Sequence, residues 1–90
     1  MSRSSEPLAA VERVVVLPKA LHARPAGQVA QAAARLDARI TLAAGERHVD
    51  ARSVLAVMSL GAVAGAEVLV SGADAEAVDE IARILSEPEA

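Results

Sequence analysis

The chain contains no phenylalanine, tyrosine, tryptophan or cysteine, and that absence constrains its folding more than any motif does. With no large ring and no crosslink available, the core must be built from Val, Leu, Ile, Ala and Met. Lack of cysteine removes disulfides, thiolate catalysis and thiolate metal sites. Lack of aromatic rings leaves nucleic-acid bases nothing to stack on. A net charge of -3, with no basic tract, argues further against nucleic acid as a partner. The 90 residues make one domain. A chain this short buries only about 60–65% of its unfolded surface, so a stability on the order of 5–10 kcal/mol is expected.

The opening MSRSSEPLAAVERV has no apolar run of signal-peptide length. Ser53 to Ala66 is the longest uncharged run; its glycines and its length exclude a membrane span. A cytoplasmic protein is therefore expected. Residues 1–9 read as a flexible polar tail that cannot repay its ordering entropy, and 10–88 as the folded domain.

Periodicity then divides the domain. VERVVVLP is β-branched and ends in proline, so Val11 to Leu17 reads as a strand. From Ala23 to Leu36 the apolar residues Ala26, Val29, Ala30, Ala33 and Leu36 recur at helical spacing. Ile40, Leu42 and Ala44, then Arg47, Val49 and Ala51, alternate with polar neighbours around Gly45, which predicts a hairpin. Ser53 sits where an N-cap belongs, before the short helix of VLAVMSLG that Gly61 can end. AEVLVSG is a strand. Asp74 caps a last helix with Val78, Ile81, Ala82 and Leu85 on one stripe. The order β-α-β-β-α-β-α predicts an α+β fold whose helices cover one face of a mostly antiparallel sheet.

Chemistry concentrates at LHARP. Pro25 suits the first turn of a helix, because its fixed φ fits and its missing N–H is one the turn cannot use. His22 then stands just ahead of that helix, beside free amides and roughly half a positive charge from the macrodipole, where a phosphate is attracted. Arg24 adds a permanently charged fork suited to phosphate oxygens. An imidazole in that position can offer a ring-nitrogen lone pair as a nucleophile. A histidine alone at a helix start is more often a cap or a surface residue. The neighbouring arginine, proline and helix phase point to anion chemistry without saying which anion, or whether it becomes covalent.

LHARP after a first strand, with ARSVLAVMSLG further along, resembles the HPr family of histidine-containing phosphocarrier proteins, part of the bacterial phosphoenolpyruvate:sugar phosphotransferase system. The resemblance covers Val11 to about Leu85. It implies an open-faced β-sandwich, a four-stranded antiparallel sheet covered on one face by three helices. By the same resemblance His22 matches the phosphorylated histidine, modified on Nδ1, and Arg24 the arginine that steadies the phosphate. Ala23 and Pro25 match the helix start. The family takes its phosphoryl group from phosphorylated Enzyme I and passes it to a histidine of a sugar-specific IIA domain, so these are the implied partners. It is a carrier, not an enzyme, and needs no cofactor and no metal. One departure stands out: the residue before Leu21 is usually glycine, and here it is Ala20. Were a positive φ required there, alanine would cost about 1 kcal/mol.

Ser53 as an N-cap needs no further role. The resemblance adds one, since the matching serine in many Gram-positive bacteria is phosphorylated by an HPr kinase/phosphorylase. Leu21, Val54, Leu55 and Met58 match the family's docking patch, and Met58 suits a surface that must fit several partners in turn. His48 falls on the polar side of its strand and reads as a surface residue. A monomer with no membrane insertion is expected. Two other readings fit these residues: a regulatory or nitrogen-type paralogue of the same family, and a binding module holding a phosphorylated ligand non-covalently at His22 and Arg24.

Overall fold

The computed structural model describes residues 10–87; the tail expected at 1–9 and Pro88 lie outside them. The elements are β1 (Val11–Val16), α1 (Ala23–Leu36), β2 (Ile40–Ala44), β3 (Arg47–Asp50), α2 (Val54–Ser59), β4 (Glu67–Gly72) and α3 (Ala75–Ser86). Their order is the one the periodicity predicts.

The four strands form one sheet in the order β1-β4-β2-β3, and every pairing is antiparallel. Side chains alternate between its faces. Val15, Val68, Val70, Ile40 and Leu42 are buried on one face and belong to the same apolar cluster as the inner stripes of the helices. The other face is uncovered, and this is what makes the sandwich open. Val14 and Val16 are 62% and 59% exposed there, although both belong to an unbroken run of three valines. β1 stops one residue before the expected Leu17, but Leu17 still donates to the Ala66 carbonyl at 2.9 Å and is buried.

Alanine sets how closely the helices approach. Four of the five buried residues of α1 are alanines, Ala26, Ala30, Ala32 and Ala33, with Val29 the exception. Small side chains let α1 lie close to α2 and α3 without aromatic filler. The apolar face is thus displaced slightly from the predicted one, with Ala32 inside and Leu36 only half-buried. At the other layer, Gly72 allows a close approach: a Cβ there would stand 2.8 Å from the Arg39 carbonyl oxygen. Asp74 caps α3 as predicted, its Oδ1 accepting from the Glu76 and Ala77 amides at 3.0 and 3.3 Å. Among the described residues no helix is long and apolar enough to cross a membrane.

Candidate functional site

The segment from Leu17 to His22 joins β1 to α1, and it is strapped to the chain that follows α2. Besides the Leu17–Ala66 bond, the Gly65 amide donates to the Leu17 carbonyl at 2.8 Å and the Leu21 amide to the Ala62 carbonyl at 3.1 Å. Gly61 and Gly65 make this possible, with φ of 64° and 88°, values that a side chain disfavours. Leu21 pins the segment from within. It is only 6% exposed, so the residue before the histidine anchors the loop in the core and offers little surface to the expected docking patch.

His22 is the N-cap of α1, at φ -81° and ψ -174°, and its side chain makes no capping hydrogen bond. Its backbone is fully employed: the amide donates to the Ala20 carbonyl at 3.0 Å, and the carbonyl accepts from the Ala26 amide at 3.0 Å. The backbone is thereby fixed while the exposed ring is left free. Ala23 and Arg24 follow in the first turn, where an α-helix offers their amides no carbonyl, and Pro25 has no amide to leave unpaired. Arg24 is exposed, and its guanidinium enters no ion pair among the described residues. The helix start thus offers two amides without helical partners and a guanidinium without an ion pair, next in sequence to an exposed imidazole. A tetrahedral oxyanion suits such a set of donors.

Ala20 fits without strain. Asp37 is the only non-glycine residue with positive φ among those described, so the cost that alanine would carry in a left-handed conformation does not arise.

An open depression lies beside His22, lined by Ala20, Leu21, Met58, Ala62 and Val63 among others. Its far wall comes from α2 and the loop beyond. Val54, Leu55 and Met58 are 37%, 79% and 38% exposed, so the short helix leaves them uncovered. Val63, which the motif reading passes over, is 61% exposed and lines the same depression. Its one signal in the sequence is an isolated valine in GAVAG, a stretch too glycine-rich to bury it. Ser53 caps α2, its Oγ accepting from the Ala56 amide at 3.1 Å. The turn before it is held by Asp50, whose Oδ1 accepts from the Arg52 amide at 2.8 Å. His48 is exposed in β3, opposite Ala43, and lines no part of the depression. No group of metal-ligating residues occurs among the described residues. The marked ionic pairing lies elsewhere, between Arg83 and Glu80 on α3, where the arginine's hydrogen bond holds the Glu80 carboxyl below its ordinary range.

Comparison with known proteins bears on the chain from residue 10 to residue 87. A family model described as the PTS HPr component phosphorylation site matches residues 10–87. The chain is 42% identical over 67 residues to the phosphocarrier protein HPr of Treponema pallidum, covering 71% of this chain and 76% of that protein. It is 39% identical over 69 residues to the multiphosphoryl transfer protein of Xanthomonas campestris, where the match spans 74% of this chain but only 8% of that much longer protein. Among solved structures, the phosphocarrier protein HPr of Bacillus anthracis superposes with a TM-score of 0.78 at 29% identity, covering 87% of this chain and 99% of that one.

Proposed function

Because the chain belongs to the HPr family of phosphotransferase-system phosphocarriers, we propose that His22 accepts a phosphoryl group from phosphorylated Enzyme I and delivers it to a IIA domain. The observation that carries this reading is the free imidazole at the N-cap of α1, with its backbone bonded on both sides. In the first transfer the Nδ1 lone pair attacks phosphorus, an Nδ1–P bond forms, and the N–P bond to the donor's histidine breaks, its electron pair returning to that ring. The second transfer repeats this exchange, with His22 as the leaving group. Charge on the three equatorial oxygens is met by the Arg24 guanidinium and the first-turn amides. Docking on Val54, Leu55, Met58 and Val63 holds donor and acceptor nitrogens in line. Most of the catalysis comes from the partners, and the carrier contributes a presented nucleophile.

Incubation with Enzyme I and phosphoenolpyruvate tests the proposal. Intact-mass spectrometry should detect one acid-labile phosphoryl group, which His22→Ala abolishes and His48→Ala retains. A His22→Ala protein that Enzyme I still phosphorylates would refute it. Wild-type protein that binds phosphate without a covalent adduct would instead indicate a non-covalent module.

A further inference from the structure

The last turn of α2 carries the edge of the docking face, and its hydrogen bonding exposes a dependence outside the motifs. An α-helix leaves its last four carbonyls without partners of its own, and in a helix of six residues these are most of the carbonyls present. Here each one finds a donor. The Ser59 hydroxyl donates to the Ala56 carbonyl at 2.6 Å, the Leu60 amide to that of Val57 at 3.2 Å, and the Gly61 amide to that of Met58 at 3.1 Å. Those three are local and move with the helix. The fourth is not: Nη1 of Arg47, in β3, donates to the Ser59 carbonyl at 2.9 Å. The helix has no basic residue in its own last turn, so Arg47 supplies the cation that the negative end of the dipole favours. Arg47 is itself paired opposite Ala44 of β2, so the bond ties α2 to the sheet.

We propose that Arg47 is a positioning residue for phosphoryl transfer, clamping the C-terminal end of α2 so that Met58 and the Gly61–Val63 loop stay in register with His22. This rests on the reading that His22 is the phosphoryl acceptor. The loop is held from one side by the Leu21–Ala62 bond and from the other by Arg47 through α2. Loss of the guanidinium frees the second side only, so the nucleophile stays in place while the surface beside it loosens. Docking should suffer and chemistry should not.

Arg47→Ala should raise the KM for transfer from Enzyme I by about two- to fivefold, the size of one exposed cation's effect at a helix C-terminus, with kcat unchanged. Arg47→Lys keeps the charge and a donor and should recover most of the loss. Since an exposed arginine could also touch the partner directly, the deciding readout is taken on the free protein. In Arg47→Ala without any partner, the amide resonances of Gly61 to Val63 and the Met58 methyl should shift. An unchanged KM, or a raised KM with those resonances unmoved, would overturn the clamp. Failure of Enzyme I to phosphorylate the wild type would overturn the functional reading instead, while the spectra still decide whether Arg47 orders the loop.

Discussion

At His22 the backbone and the side chain divide their tasks. The amide and carbonyl bind Ala20 and Ala26, while the ring that an N-cap commonly commits to the helix is left uncommitted. Serine or aspartate at that position would satisfy an amide of the first turn and so occupy the donors a phosphoryl group needs. Arg24 is uncommitted in the same sense, with no ion pair among the described residues, and in the proposed transfer its guanidinium meets the charge that develops only in that step. Replacing it by alanine should slow transfer to or from His22 by about 10²-fold, a typical loss for one such donor, with the fold intact. Rapid-quench kinetics in both directions, with circular dichroism as the control, measure this. Equal rates would reduce Arg24 to surface charge. Much of this site is legible in LHARP, because proline and the helix phase locate the histidine. The burial of Leu21 is not legible there: an apolar residue beside a functional histidine reads equally as anchor or as docking contact, and its burial follows from packing into a core assembled from elements distant in sequence.

At the level of elements, α2 is where a cap and a surface share residues. Ser53 stabilises the first turn through the Ala56 amide, and the exposed Val54, Leu55 and Met58 follow at once. A phosphate on Ser53 would sit at a helix N-terminus, where dipole and amides favour it, so little unfolding is expected. Its cost would fall on docking, since two negative charges beside an apolar contact must be desolvated. Ser53→Asp should therefore raise the KM for phosphorylation of His22 by Enzyme I. Ser53→Ala should act nearly normally and lose only a cap worth about 1 kcal/mol. Steady-state assays at matched salt compare them, and identical behaviour would leave Ser53 as a cap alone. All seven elements are readable from periodicity, because caps and glycines punctuate them strongly: Ser53, Gly61 and Asp74 each stand where expected. What periodicity does not reveal is which face of β1 the helices cover. Of its three successive valines Val15 is buried while Val14 and Val16 are exposed, because the helices pack on one face of the sheet only, an outcome of contacts far apart in sequence.

Across the whole molecule, seven of the twenty buried apolar residues among those described are alanines, and none is aromatic. Apolar burial per residue is correspondingly small, and a few branched side chains carry a large share of it. Leu42, fully buried in β2, is one. Leu42→Ala should cost about 2–5 kcal/mol, a large fraction of the roughly 5–10 kcal/mol expected for so small a domain. Urea denaturation followed by far-ultraviolet circular dichroism should place the midpoint far lower, with little change in slope; a shift under about 0.5 kcal/mol would mean that the core repacks around the gap. The same aromatic-free core makes the protein optically dark. With no indole, phenol, phenyl or disulfide in the chain, it contributes neither absorbance nor emission in the near ultraviolet. Any fluorescence in a mixture with a tryptophan-bearing partner belongs to that partner, and its change on mixing is a direct binding signal. One indole introduced as Val63→Trp, on the rim of the depression beside His22, would turn the silent protein into a single-site reporter of its own docking.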